Sequence, residues 1–322
     1  MTAEGADPAG PIRTLFLGSG AFAVAIFDAL ATAPEVQLVG VVTAPDRPAG
    51  RRAELASVPI ALRARELGLP LLQPERLRAP EPVAEVAALA PDLGVLADYG
   101  QIVPPSVLDI PAHGILNVHP SALPRHRGAT PIPATILSGD RTAAVTLIRM
   151  DAGLDTGPIV AQEVWPLDGT ETAETIEAEA ARRGAELLRR TLGGWLAGTV
   201  PAIPQSASGV TLTRPLRRVD GRLDPTRSAV ELERQVRAYV PWPGSFLDTE
   251  IGRLIVYEAD VIDAESTDRP GQIVAQDDGL ALTTADGRLR IRRAQLAGRR
   301  PMDAASLRRG APELVGQTIE LR

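Results

Sequence analysis

The first 120 residues alternate short apolar runs with helical stretches, and this rhythm constrains the fold more than any other feature. Residues 13–18 (RTLFLG) form an apolar run that ends in glycine, and a helical pattern follows from Ala21 to Ala33. Residues 37–43 (QLVGVVT) read as a buried strand. Helical patterns at 59–67 and 82–90 separate further strands at 92–98 (DLGVLAD) and 114–119 (GILNVH). Near-continuous apolar strands linked by helices predict a parallel sheet covered on both faces. The expected class is α/β, with an N-terminal doubly wound, Rossmann-like domain. Strands at 143–150 and 158–167 and a helix over 172–196 complete it.

Residues 197–213 are poor in charge and rich in Pro, Gly and Ser, which predicts a linker, set at 201–213, between domains at 1–200 and 214–322. Beyond it the rhythm changes. One amphipathic helix, stopped by Pro241 and Pro243, precedes short strands with hairpin signals at Asp278-Gly279 and Asp286-Gly287. This pattern predicts a small C-terminal β-barrel of the oligonucleotide-binding type.

Composition removes several chemistries. The 322 residues contain no cysteine, and all 34 basic residues are arginine. Disulfides, thiolate metal sites, Schiff-base lysines and a P-loop are therefore excluded. Net charge is −7 over residues 1–200 and +1 over 201–322, which is far from a basic nucleic-acid signature. No apolar run approaches the roughly 20 residues that span a bilayer, and the N-terminus lacks the basic start of a signal peptide. A soluble, cytoplasmic protein with no membrane partner is expected.

Three motifs carry candidate chemistry. Gly18-Ser19-Gly20-Ala21-Phe22-Ala23 fits the dinucleotide turn G-x-G-x-x-A, but the second strand ends Val42-Thr43-Ala44 without the acid that would hold a ribose. A tight strand-to-helix turn explains it more simply than a nicotinamide site. The three histidines, His113, His119 and His126, all fall within one short window. Asn117 and His119 sit two apart near a strand's carboxyl end, so both side chains leave one face where open α/β sheets bind ligands. An amide beside an imidazole suits a developing oxyanion and proton transfer. Zinc fits poorly, because His113 and His119 should face opposite sides and no cysteine assists. The loop Met150-Asp151-Ala152-Gly153-Leu154-Asp155-Thr156-Gly157 brings two carboxylates after a strand, and one Asp could fix the histidine's tautomer.

In order and spacing, Asn117-Val118-His119-Pro120-Ser121-Ala122-Leu123-Pro124, Arg127-Gly128 and Gly153-Leu154-Asp155-Thr156-Gly157 resemble the folate-dependent formyltransferases. Pro45-Asp46-Arg47-Pro48-Ala49-Gly50-Arg51 and Tyr239-Val240-Pro241-Trp242-Pro243 resemble the branch of that superfamily whose acceptor is charged initiator methionyl-tRNA. The resemblance runs from about Arg13 to the C-terminus. It implies formyl transfer from 10-formyltetrahydrofolate to the α-amine of methionine on that tRNA, without a metal. Asn117 and His119 would stabilise the oxyanion, and Asp155 would orient His119 and assist proton transfer. Ser121, Ala122, Leu123, Pro124, Tyr99, Gly100 and Asp151 would line the folate site. Asp46, Arg47, Arg51 and Arg52 would form a loop that enters the acceptor stem, and the C-terminal domain would dock tRNA. A monomer is expected.

The chain departs from the family's usual pattern at Asp98 and Pro133, and its tRNA loop has no lysine. Arg288, Arg290 and Arg292 alternate along one predicted strand face, a candidate phosphate-binding stripe. Three rivals remain at this level. A formyltransferase for a sugar-nucleotide amine would keep the chemistry and lose the tRNA loop's purpose. A nicotinamide-dependent oxidoreductase would leave the Asn-x-His and Gly-Leu-Asp motifs unexplained. A non-catalytic tRNA-binding protein would leave Asn117, His119 and Asp155 without a role.

Overall fold

The computed structural model describes residues 10–49, 54–263 and 269–319. These divide into two compact units. The first comprises the described residues up to Pro131 together with Thr142–Trp165 and Glu177–Thr213, and the second Ile132–Arg141, Pro166–Ile176 and the described residues from Arg214 onward.

The first unit opens with strand β1 (Ile12–Gly18), helix α1 (Ala21–Ala31) and strand β2 (Val36–Val42). A small hairpin, β3 (Arg47–Ala49) and β4 (Glu54–Ala56), precedes α2 (Pro59–Glu66), β5 (Leu71–Leu72), α3 (Pro80–Ala88) and β6 (Leu93–Ala97). In chain order then come α4 (Pro105–Leu108), β7 (Ile115–His119), the two-residue β8 (Arg127–Gly128), α5 (Pro131–Leu137, in the second unit from Ile132 on), β9 (Thr142–Arg149), β10 (Ile159–Pro166), α6 (Ala173–Leu196, in the first unit from Glu177 on) and β11 (Leu212–Thr213). The main sheet has the order β10-β9-β7-β6-β1-β2-β5. From β1 the chain builds outward through β2 and β5, then returns to lay β6 on β1's other side. This reversal of winding between β1 and β6 makes a ligand crevice at the strands' carboxyl ends.

The pairs among β5, β2, β1, β6 and β7 run parallel, as the apolar rhythm predicts, and β6 and β7 are buried along their whole length. The sheet is nevertheless mixed. β9 runs antiparallel to β7, with Asn117 opposite Ile148 and His119 opposite Thr146. Its apolar run is as continuous as those of the parallel strands, so composition could not reveal its direction.

Packing fixes which face of β7 is free. A Cβ on Gly184 of α6 would lie 2.8 Å from Val118 Cγ1 and 3.2 Å from Val145 Cγ2, so only glycine lets the helix approach so closely. α6 therefore covers the Val118 side, while Asn117 and His119 alternate onto the other. On β1, Phe16 packs edge-on against Phe27 of α1 at 5.1 Å.

In the second unit, helix α7 (Ala229–Ala238) starts at a capping box between Ser228 and Glu231 and ends ahead of Pro241. Strands β12 (Ser245–Thr249), β13 (Gly252–Ile262), β14 (Ile273–Gln276), β15 (Gly279–Thr283), β16 (Arg288–Leu296) and β17 (Met302–Asp303) form a six-stranded antiparallel sheet of barrel type, followed by α8 (Ala304–Gly310). Its core gathers Leu223, Leu232, Val256, Leu282, Ile291 and Leu307. The β14–β15 turn is Asp277-Asp278, one residue before the predicted position, with Asp277 at φ +51°. Among the described residues, no helix is long and apolar enough to cross a membrane.

The arginine stripe proves to be internally paired. Asp260 of β13 lies opposite Arg290 in register and sits 2.8 Å from Arg290 and 3.5 Å from Arg292, while Glu258 pairs with Arg293. The carboxylates come from a neighbouring strand some 30 residues away, beyond the reach of a pattern read on β16 alone.

Candidate active site

Asn117 and His119 close β7, and each is only 5% exposed. Beyond His119 the chain turns sharply: Ser121 N–H donates to the His119 carbonyl, and Ser121 Oγ donates to the Arg125 carbonyl at 2.8 Å. Thr146 Oγ1 donates to the Ser121 carbonyl at 2.6 Å, which ties this turn to β9. Ser121 and Leu123 are buried, and Ala122 and Pro124 are half-buried.

Asp155 reaches this strand end from the loop after β9. It adopts φ +51°, a left-handed backbone that Asp tolerates better than most residues. The turn is built by Asp151, whose Oδ1 accepts from Gly153 N–H at 3.0 Å and Thr156 Oγ1 at 2.6 Å. It is closed by Gly157, where a Cβ would fall 1.9 Å from the Arg149 carbonyl. Asp155 Oδ1 accepts from Asn117 Nδ2 at 3.2 Å, and Oδ2 accepts from Gly128 N–H at 2.7 Å. The same Oδ2 faces His119 Nδ1 at 3.7 Å. His119 Nε2 lies 3.1 Å from the His126 carbonyl, so Nε2 carries the proton and donates. That leaves Nδ1 as the nitrogen that can gain or lose a proton beside a fixed carboxylate.

The three residues selected from spacing thus meet in one cluster. Sequence reasoning missed the groups that hold it: the His126 carbonyl, Gly128 N–H, Thr211 and Gln205. Thr211 Oγ1 accepts from His126 N–H at 2.8 Å, and β11 pairs with β8. These partners lie 78 to 86 residues apart in the chain and carry no local periodicity to reveal them.

The Gly18–Gly20 turn is occupied by the protein itself. Gly20 caps α1 without a side chain, and its N–H donates to the Asp98 carboxylate arriving from the end of β6. A Cβ at Gly20 would stand 1.8 Å from Asp98 Oδ2. The protein surrounding this carboxyl pushes its pKa up by desolvation, and the Gly20 N–H opposes that shift. Ser19 Oγ meets Thr43 Oγ1 at 3.2 Å and Ala44 N–H at 3.1 Å, which closes the end of β2. The anion seat of a dinucleotide turn is thus filled by Asp98, and no acid stands at the ribose position. Pro133, the other departure, sits in the first turn of α5, where its missing N–H costs no helical bond.

Tyr99 adjoins Asp98. Its hydroxyl is buried and has no hydrogen-bond partner among the described residues, and desolvation pushes its pKa up to about 12. Gly100 is exposed.

Asp46 stands at the base of the β3–β4 hairpin. It accepts from Ser57 at 2.9 Å, Arg65 at 3.0 Å and Gln73 at 2.8 Å, which together hold its carboxyl below the usual range, Gln73 most of all. Asp46 is therefore an anchor whose oxygens are committed within the fold. Arg47 begins β3 with its side chain 75% exposed, 3.9 Å from Glu75. Arg51 and Arg52 lie outside the described residues.

Comparison with known proteins adds independent findings. The family described as "Formyl transferase" matches residues 12–192, and "Formyl transferase, C-terminal domain" matches residues 215–312. The methionyl-tRNA formyltransferase of Roseiflexus sp. (strain RS-1) is 44% identical over 301 residues, covering 93% of each chain. That of Halorhodospira halophila is 42% identical over 309 residues, covering 96% of this chain and 99% of its own. Among solved structures, the N-formyltransferase of Helicobacter canadensis in complex with folinic acid and dTDP-3-aminofucose superposes with a TM-score of 0.66 over 87% of this chain and 98% of its own. At 15% identity that likeness shows the shared fold alone.

Proposed function

The chain belongs to the methionyl-tRNA formyltransferases, and from that premise we propose that Asn117, His119 and Asp155 carry the transfer of a formyl group from 10-formyltetrahydrofolate to the α-amine of methionine on charged initiator tRNA. The observation that carries the assignment of these residues is the Asp155 carboxylate. It accepts from Asn117 and Gly128 while facing His119 Nδ1.

The chemistry follows from what each group has left to give. The amine attacks the formyl carbon, the carbonyl oxygen becomes an oxyanion, and collapse breaks the bond to the folate nitrogen. Over that sequence the amine loses one proton and the folate nitrogen gains one. Asn117 Nδ2 spends one N–H on Asp155 and has a second for the oxyanion. His119, its ring anchored through Nε2 on the His126 carbonyl, becomes a donor to the same charge once its Nδ1 takes up the amine's proton. Asp155 relays that proton from the amine through a water and stabilises the imidazolium that results, which then gives the proton to the departing folate nitrogen. Every donor is fixed before the charge develops, which is the condition for such stabilisation to be large.

The folate lies at the strand ends, in the crevice where the winding reverses. Tyr99 follows the end of β6 at that crevice, with its ring packed against the core. Ser121, Leu123 and Asp151 shape the walls through the backbone, because the polar side chains among them are spent on the turns they build. Ala122, Pro124 and Gly100 line the opening. On the acceptor side, Arg47, with Arg51 and Arg52, engages the acceptor stem, and Asp46 holds the hairpin that carries Arg47. In this assignment residues 1–200 are catalytic, 214–322 dock tRNA, and 201–213 join them.

The test offers charged initiator tRNA, charged elongator methionine tRNA and a UDP-amino sugar side by side with 10-formyltetrahydrofolate. Formylation of the initiator alone, lost in His119→Ala, is the expected result. Formylation of the sugar would overturn the acceptor, and full activity of His119→Ala would overturn the site.

A further inference from the structure

Gln205 belongs to the charge-poor segment between the two family regions, and its side chain is fully committed at the site. Its Nε2 donates to the Asp155 carbonyl at 2.7 Å and to the Gly157 carbonyl at 2.8 Å. Its Oε1 accepts two bonds from Arg127, from Nε at 3.0 Å and from Nη2 at 2.7 Å. Both donors and both lone pairs of the amide are therefore used. The segment is stitched to the same loops on either side of Gln205. Ile203 exchanges both backbone bonds with Ile159 at 2.7 Å each, and Thr211 binds His126.

We propose that Gln205 is a positioning residue for formyl transfer, acting through Asp155; this rests on the reading that Asp155 takes part in the reaction. The argument starts from the backbone. Asp155 sits at φ +51°, a conformation that a non-glycine residue keeps only where its surroundings over-determine it. One amide holds the Asp155 and Gly157 carbonyls, and so fixes the peptide plane that follows Asp155 and, two residues on, the end of the turn that carries it. The guanidinium that anchors this amide belongs to Arg127, the residue before Gly128, whose N–H holds Asp155 Oδ2. Gln205 thereby locks the carboxylate's own loop to the loop that supplies its hydrogen-bond donor. Without the amide, water can satisfy the two carbonyls, the loop relaxes toward a commoner backbone, and the carboxylate swings away from Asn117 and His119. A displacement of about 1 Å at reacting groups costs on the order of 100-fold in rate.

The experiment compares Gln205→Leu, Gln205→Glu and Asp155→Ala in steady-state formylation of charged initiator tRNA, with thermal melts of each. Glutamate keeps the acceptor for Arg127 but removes both donors and turns a carboxylate toward two carbonyls. The expected result is a kcat about 10- to 100-fold lower in both Gln205 variants, with KM for the folate within about threefold of wild type. The melting temperature of Gln205→Glu should stay above that of Gln205→Leu, because its tether to Arg127 survives. Wild-type kcat in Gln205→Glu would overturn the inference, as would a loss expressed in KM rather than kcat. If Asp155→Ala loses turnover while both Gln205 variants keep it, only the positioning role fails. If Asp155→Ala itself keeps wild-type turnover, the reading of Asp155 fails and the inference falls with it.

Discussion

Asp155→Asn isolates the carboxylate's charge with the least disturbance to the fold. Asparagine tolerates the left-handed φ of +51° at least as well as aspartate, so the loop backbone survives. The side chain cannot satisfy both of its donors, however. If its oxygen keeps Gly128 N–H, its NH2 faces Asn117 Nδ2; if the amide is flipped, the NH2 faces Gly128 N–H. Either way one charge-assisted bond becomes a donor-against-donor contact, worth about 1.5–3 kcal/mol. The second loss appears only as the reaction proceeds. A unit charge pair near 4 Å is worth about 4 kcal/mol at an effective permittivity of about 20, and the imidazolium formed on His119 would lose part of that from its 3.7 Å partner. The first loss is present before reaction and shows in the thermal melt, whereas a loss of about 2–4 kcal/mol from the transition state lowers kcat about 30- to 1,000-fold, at roughly 1.36 kcal/mol per decade. Single-turnover formylation at saturating substrate reads this directly, with folate affinity by fluorescence and stability by thermal melt as controls. Turnover within threefold of wild type, with folate affinity unchanged, would refute the reasoning.

The hairpin, the turn at Gly20 and the second unit supply further tests. Arg47→Ala should weaken initiator tRNA several-fold, leave folate KM unchanged and reduce the salt dependence of tRNA binding by about one unit of log–log slope, measured by filter binding. A collapse of folate affinity instead would misplace the hairpin. Gly20→Ala should destabilise the protein by about 1–3 kcal/mol, because its Cβ meets Asp98 Oδ2 at 1.8 Å. Adding Asp98→Ala should recover part of that loss in denaturant titrations, which rules out a purely backbone effect. Asp220 is held at a pKa of about 2, first by Arg214 and also by Arg217 N–H. Its stabilisation is complete above the ordinary carboxylate pKa and is lost as pH falls from about 4 through about 2. Asp220→Asn should therefore flatten that part of the acid-unfolding curve followed by circular dichroism.

The legible parts of the site are those encoded by spacing within one element. Asn117 and His119 share a face because they are two apart on a strand, and Asp155 stands out as a carboxylate in a glycine-punctuated turn. The illegible parts are contacts closed across the chain. Gln205 sits among Pro, Ser and Ala, with no periodicity to mark it, and its partners are 48 to 78 residues away. The direction of β9 was hidden for a related reason: an apolar run reports burial, and burial on both faces is the same for a parallel and an antiparallel strand. On the Arg288–Arg292 stripe the local pattern is clear, but part of its charge, that of Arg290 and Arg292, meets Asp260 from the next strand.

The glycine turn after β1 shows how far one motif can carry. Gly18-x-Gly20 gives the chain a tight bend and an exposed helix start, and the backbone N–H groups there attract a negative charge whatever its source. A dinucleotide-binding protein leaves that seat for a phosphate. Here the end of β6 delivers Asp98 into it, also at a left-handed φ of +48°, and Gly20 has no Cβ because the carboxylate occupies that space. The carboxylate bears on ligand choice as much as on helix capping. It stands where a dinucleotide turn receives a pyrophosphate, and so occupies that seat. In the proposed mechanism Asn117 still has a donor to turn toward a neutral carbonyl, and His119 gains one at Nδ1 as charge develops in the transition state. The helix start after β1 is thus answered from within the fold by Asp98, and the Asn117–His119 face of the same sheet end is left for the proposed acyl transfer.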